Sequence, residues 1–214
     1  MAVTDLNAMK DAVVRGDKEA CVDLAKKALE SGVEPQKAIQ EGLAPGMQVV
    51  GKGFEDGSLF LPDMMLAAEA MKAGIAVLEE AMPADKAAEN HLGKVVVATV
   101  QGDVHDIGKN ILRILLSTAG FEVIDLGRDV KVATIINEAE DEEVDIIGVS
   151  ALMTTTMMYM KELIEELSEA GLRDRFKVMV GGAPVTPEWA REIGADGYAK
   201  DAFAAIAVAK DLVN

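Results

Sequence analysis

Apolar positions change their period once along the chain, near residue 90, and divide the sequence into a helical region and an alternating region. In the first, Leu6, Met9 and Val13 recur at helical spacing behind an N-cap candidate, Thr4. Cys21, Leu24 and Ala28 repeat the pattern, and Gly32 supplies a C-terminal stop. Pro35 opens a third helix carrying Ile39, Leu43, Met47 and Val50, with a kink or break expected at Pro45. The glycine-rich run 51–58 reads as a loop. Pro62 starts a fourth helix with Met64, Ala68, Met71, Ile75 and Leu78 on one stripe. Four such stripes are buried by packing on one another, so a four-helix bundle is expected over residues 1–90.

Residues 83–93 lack apolar weight and read as a linker. Beyond it, short β-branched runs at 95–99, 122–126, 145–150, 177–180 and 197–199 alternate with helical patterns at 107–119, 132–142, 157–170, 187–193 and 202–212. Strands with almost no polar alternation, each followed by a helix, predict a parallel sheet covered on both faces. Five units suit an open, doubly wound sheet of the Rossmann or flavodoxin-like type over residues 91–214 and are too few for an eight-stranded barrel. The expected fold class is therefore α followed by α/β. Ligands of such sheets sit beyond the carboxyl ends of the strands, which decides the loops to inspect.

The loop after the first strand holds Gly102, Asp103, Val104, His105, Asp106 and Gly108. His105 is one of two histidines; the other, His91, falls in the linker. A histidine here is exposed at the sheet edge beside a helix start. Asp103 is placed to accept a hydrogen bond from one ring nitrogen and so to fix which nitrogen is free for a metal. Gly108 permits close approach of something large. The third strand runs into Ser150, Leu152 and the hydroxyls Thr154, Thr155 and Thr156, and the fourth into Gly181 and Gly182. Small residues at neighbouring strand ends open a slot for something long and slender.

Half the residues are hydrophobic, enough for a real core at this length. Acidic residues number 37 against 21 basic ones, a net charge of -16. That sign disfavours nucleic acid and anionic membranes and favours partners with basic patches. The single cysteine, Cys21, excludes an intramolecular disulfide, fits a reducing cytosol and reads as a buried structural thiol. No secretory pattern opens the chain and no apolar run approaches the ~20 residues that span a bilayer, so a cytoplasmic protein is expected. A divalent-metal hydrolase using Asp103, His105 and Asp106 would need further histidines or carboxylates at other strand ends, where the sequence offers hydroxyls and glycines.

Asp103-x-His105-x-x-Gly108, followed after 41 residues by Ser150-x-Leu152 and after 28 more by Gly181-Gly182, resembles the cobalamin-binding signature of methionine synthase and its relatives. The helical region resembles the bundle that caps the upper corrin face in that family, with Phe54, Gly57 and Phe60-Leu61-Pro62 matching its loop-to-helix segment. Asp63 departs from the aromatic wedge that follows Leu-Pro there, and Met64, Met65 and Met71 become candidates for the methyl face.

The resemblance implies a cobalamin whose benzimidazole base is displaced, with its nucleotide tail buried beside the sheet. His105 would then ligate cobalt from below and Asp103 would accept the other imidazole proton. Thr156 would complete the Asp–His relay, with Thr154 touching the cofactor. Ser150, Leu152, Gly181 and Gly182 would line the tail's slot, and Gly102, Val104, Asp106 and Gly108 would bind beside the histidine. The chain has no room for barrel domains and so resembles the stand-alone corrinoid proteins of methylamine, methanol, glycine betaine and methoxyarene methyltransferase systems.

Resemblance to those proteins implies a non-catalytic methyl-carrier subunit cycling between cob(I)alamin and methylcobalamin. It would accept a methyl group from a substrate-specific barrel methyltransferase and deliver it to a second methyltransferase, with coenzyme M or tetrahydrofolate as acceptor. A corrinoid reductive activase is a further implied partner, and the bundle would swing about the linker. The alternative with the same modules, a cobalamin-dependent sensor or regulator, implies an added DNA-binding or signalling segment.

Overall fold

The first helical stripe forms α1 (Leu6–Val14), which buries Met9, Ala12 and Val13, and the second forms α2 (Lys18–Glu30), which buries Cys21, Ala25 and Ala28. Asp17 caps α2 by accepting from the Ala20 amide at 3.0 Å, and Gly32 follows its end with a positive φ of 76°. The third rod is continuous but irregular. A short α3 (Pro35–Lys37) passes into a π-helical segment (Ala38–Leu43) and then into α4 (Ala44–Glu55). The irregularity lies ahead of Pro45, which sits in the first turn of α4: the Ala44 amide bonds back to the Ile39 carbonyl, and Pro45 has no N–H with which to continue that ladder. The fourth rod, α5 (Leu61–Glu79), has Pro62 in its first turn and packs against α2 and α4.

One expectation for this region is corrected. The run read as a loop from Gly51 is helical as far as Glu55, because Gly51 and Gly53 are buried packing positions rather than breakers. A Cβ on Gly53 would lie 2.8 Å from the Leu59 side chain. Asp63, which departs from the aromatic wedge of the resembled family, caps α5: its carboxylate accepts from the Phe60 amide at 2.8 Å.

The structure is a computed structural model that describes residues 6–82 and 92–214, in two units, Met1–Asn90 and His91–Asn214. Thr4, His91 and linker residues 83–91 lie outside the described residues. The linker was expected to reach Gly93, but Gly93 opens the first strand, paired with Phe121, and the Leu92 amide donates to the Gly120 carbonyl at 2.9 Å.

The second unit alternates β1 (Gly93–Thr99), α6 (Ile107–Thr118), β2 (Phe121–Asp125), α7 (Val132–Asp141), β3 (Ile146–Ser150), α8 (Met158–Glu169), β4 (Lys177–Gly181), α9 (Pro187–Glu192), β5 (Gly197–Ala199) and α10 (Ala202–Leu212). All neighbouring strands are parallel, in the order β2-β1-β3-β4-β5. Alternate residues of each strand feed opposite faces. Val96, Ala98, Ile147, Val149, Val178 and Val180 pack with α7, α8 and α9. Val95, Val97, Ile146 and Met179 pack with Leu116 of α6 and Ala205 and Ala209 of α10. The chain reverses its winding between β1 and β3, so the loops after these two strands face each other across the switch point.

Candidate functional site

The loop leaving β1 is built around one buried carboxylate. Asp103 is wholly shielded from solvent. Its Oδ1 accepts from the His105 amide at 3.0 Å and from His105 Nδ1 at 2.8 Å. Its Oδ2 accepts from the Leu152 amide at 2.8 Å, the Met153 amide at 3.2 Å and Thr156 Oγ1 at 2.8 Å. Burial pushes this carboxyl up, but the hydrogen bonds from His105, Leu152 and Thr156 outweigh it and hold the group well below the usual carboxylate range. Asp103 is therefore an anion that only accepts, so His105 Nδ1 is the donor, and in the neutral ring the free lone pair is on Nε2.

The imidazole itself is half exposed, at 48%. Thr99 Oγ1, at the end of β1, donates to the His105 carbonyl at 3.1 Å and meets Ser150 Oγ at 3.2 Å. Thr156 is buried, and its Oγ1 lies within 2.9 Å of the Met153 carbonyl as well. One hydroxyl hydrogen serves one of these acceptors, and the carboxylate is the stronger.

Five large hydrophobic residues of this unit are exposed among the described residues, and four of them, Val104, Ile107, Leu152 and Met158, follow β1 or β3 at the imidazole's end of the sheet. Apolar surface gathered around one free nitrogen marks a ligand bed rather than a solvated loop. Gly108, in the first turn of α6, is exposed with open space where a Cβ would stand. Asp106 occupies the N-cap of α6 through its carbonyl, which accepts from the Asn110 amide at 2.8 Å, while its side chain makes no cap. Thr154 is exposed on the β3–α8 loop.

Gly181 ends β4, and Gly182 adopts a φ of 127° with the Ala151 carbonyl oxygen 1.8 Å from any Cβ built there. The close approach of the two loop backbones is what requires glycine at 182. Gly102 also has a positive φ, 78°, where a side chain would be strained.

Three contributors were not apparent in the sequence. Thr99 counts there among the β-branched strand residues, and its hydroxyl is the signal that could have found it. Asp129 accepts from the Gly102 amide at 2.7 Å, and its own amide donates to the Asp103 carbonyl at 3.0 Å. Lys109, buried in the first turn of α6, pairs with Asp125 at the end of β2. Of the methionines offered for the methyl face, Met64 and Met71 are buried core and Met65 is 48% exposed. Among the described residues no group of three histidine, cysteine or carboxylate side chains converges on a metal position.

A doubly wound sheet whose switch point presents one oriented, half-exposed imidazole amid apolar surface defines a protein with a ligand-binding edge beyond the carboxyl ends of β1 and β3. Residues 93–207 match the family model "B12 binding domain", and residues 5–79 match a second model of the same description. The dimethylamine corrinoid protein of Methanosarcina barkeri is 50% identical over 208 residues, covering 97% of each chain. A cobalamin-binding protein from Desulfitobacterium hafniense DCB-2 superposes with a TM-score of 0.77 at 33% identity, covering 99% of this chain and 100% of that one. A chain of the methanol:cobalamin methyltransferase complex MtaBC from Methanosarcina barkeri gives 0.78 at 33% identity, covering 97% and 79%. The chain belongs to the family of cobalamin-binding corrinoid proteins. Among the described residues no helix is long and apolar enough to cross a membrane.

Proposed function

We propose that this chain carries a methyl group between two methyltransferases, with His105 Nε2 as the lower ligand of the cobalt of its bound cobalamin. One observation carries the reading: a buried, ionised Asp103 holds His105 Nδ1 protonated and leaves Nε2 free at the switch point of the sheet. The bound corrinoid supplies a cobalt nucleophile that accepts a methyl group and gives it up again.

The protein's own residues have three tasks in this account. Asp103, buttressed by Thr156, fixes the imidazole tautomer and keeps the ring basic toward the metal. Val104, Ile107, Leu152 and Met158 provide apolar surface for the lower corrin face. Gly108 leaves room at the start of α6. Ser150, Thr154, Gly181 and Gly182 are assigned to the nucleotide tail, and Gly102 and Asp106 to the loop that bears the histidine. We assign the covering of the corrinoid to the helical unit, whose exposed large hydrophobic residues, among the described ones, are Val49, Phe60, Met65 and Leu66.

The partners in this reading are a substrate-specific barrel methyltransferase, an acceptor methyltransferase using coenzyme M or tetrahydrofolate, and a reductive activase. The single buried cysteine and the charge of -16 suit a cytoplasmic carrier in one-carbon metabolism. Similarity to a dimethylamine corrinoid protein makes a methylated amine the first donor to assay. The reduced, cobalamin-loaded chain should take up isotopic methyl from that amine only with a donor methyltransferase present, and release it only when an acceptor enzyme is added. A loaded chain that exchanges no methyl with any such pair of enzymes, yet changes its oligomeric state on illumination or cofactor binding, would replace the carrier reading with the sensor.

A further inference from the structure

The loop between β2 and α7 has no place in the cobalamin signature, yet it bonds to the end of β1 and to residues 102–104 of the histidine loop. The Leu126 amide donates to the Val97 carbonyl at 3.0 Å, the Thr99 amide to the Gly127 carbonyl at 3.0 Å, and the Val130 amide to the Thr99 carbonyl at 3.1 Å. Arg128 reaches the Val104 carbonyl at 3.4 Å. At the centre is Asp129, one of two non-glycine residues with positive φ among the described residues, at 55°. Its carboxylate accepts from the Gly102 amide at 2.7 Å and its amide donates to the Asp103 carbonyl at 3.0 Å.

These two bonds hold the N–H of residue 102 and the C=O of residue 103. Between them lies the only peptide linking the two residues, and Asp103 is the residue that aims the imidazole. A left-handed aspartate costs about 1 kcal/mol or more per residue, and such strain persists where the surroundings enforce it. Asparagine and aspartate tolerate that conformation because their short side chains bond locally, whereas here the side chain is spent on another loop.

We infer that Asp129 is a positioning residue: it clamps the Gly102–Asp103 peptide so that the Asp103 carboxylate presents His105 for axial ligation. This rests on the reading of His105 as the cobalt ligand. Asp129 bonds to the backbone of Gly102 and Asp103 and makes no hydrogen bond to the His105 side chain, so it acts on the imidazole through the Gly102–Asp103 backbone.

The test compares Asp129→Gly, which accepts the backbone conformation and removes the side-chain bond, with Asp129→Asn, which keeps an acceptor oxygen. In the apoprotein, amide exchange at Gly102 should quicken roughly five- to tenfold in Asp129→Gly, the loss of one hydrogen bond, and stay unchanged in Asp129→Asn. After loading full-length, nitrogen-15-histidine protein with cob(II)alamin, electron paramagnetic resonance should show a reduced histidine-coordinated fraction in Asp129→Gly and a wild-type fraction in Asp129→Asn. Melting temperature is recorded alongside, because a bond that merely stabilises the loop would lower it without altering coordination. Asp129→Gly with wild-type Gly102 exchange, or with wild-type coordination, overturns the inference. His105→Ala is the control: if it retains histidine coordination, the axial-ligand reading itself has failed, whereas if it loses coordination while Asp129→Gly keeps it, only the clamp is wrong.

Discussion

At the residue scale, the site depends on one buried charge made tolerable. An isolated carboxylate in an apolar interior is costly, and Asp103 is accommodated because each of its oxygens accepts at least two donors. Threonine at 156 places its hydroxyl in this set from a buried position, so the hydroxyl that the signature calls for is kept. The carboxylate and the imidazole were legible from spacing alone, because residues two apart in a loop are natural partners. Thr99 and Asp129 were not, since nothing in sequence marks which hydroxyl ends a strand at a site or which aspartate turns left-handed.

A second buried titratable group stands apart from this chemistry. Burial, and then the nearby Asp17 carboxylate, push the Cys21 thiol up to about 11, with Arg15 acting weakly the other way. The native thiol thus stays protonated where an unfolded chain begins to ionise, near 9.0. Folding loses stability as pH rises through that window, because the unfolded state releases its proton first. Thiol reagents are expected to leave Cys21 untouched in native protein between pH 7 and 9.0 and to modify it once denaturant is added, and Cys21→Ala should have a flatter alkaline stability profile. Rapid labelling of the native thiol would contradict this.

At the element scale, α6 begins with a conflict that β2 settles. Lys109 occupies the third position of the helix, where its charge opposes the positive end of the helix dipole, a penalty of about 0.3–1 kcal/mol. Asp125, from the end of β2, pairs with Lys109, lies 3.5 Å from Arg113 one turn on, and accepts from the Gly127 amide at 2.9 Å. The pair therefore joins the helix that follows the histidine loop to the loop that braces it. Asp125→Asn leaves a buried lysine uncompensated and should cost about 3 kcal/mol in urea unfolding, while Arg113→Ala should cost under about 1 kcal/mol. Equal small losses in both would show that the pair carries no structural weight.

Elements with a single strong signal were readable in advance. The strand at Gly197–Ala199 and the helix at Ala202–Leu212 fall where their patterns put them. The third rod was not, for a physical reason. Glycines at 46 and 53 look like breakers, but they serve close packing inside a helix: a Cβ on Gly46 would stand 2.6 Å from that of Val13. Composition does not separate a glycine that bends the backbone from one that lets a neighbour in. The π-helical segment Ala38–Leu43 likewise has no counterpart in apolar spacing.

At the scale of the whole molecule, a helical unit and a doubly wound α/β unit are joined in one chain with a charge of -16. A large net charge speeds encounter with surfaces of opposite sign, an attraction that salt weakens, which suits the proposed carrier role. The fold follows from hydrophobic period, but the cofactor does not. Period places an exposed histidine at a switch point, and only the spacing of three separate strand-end motifs supports the proposal that this histidine meets a corrinoid.

The account stands or falls on the bond from His105 Nε2. Full-length protein labelled with nitrogen-15 histidine and loaded with cob(II)alamin should show axial-nitrogen splitting as a doublet, and His105→Ala should abolish it. A triplet unaffected by the label, reporting the cofactor's own base on cobalt, or a doublet that survives His105→Ala, would contradict it.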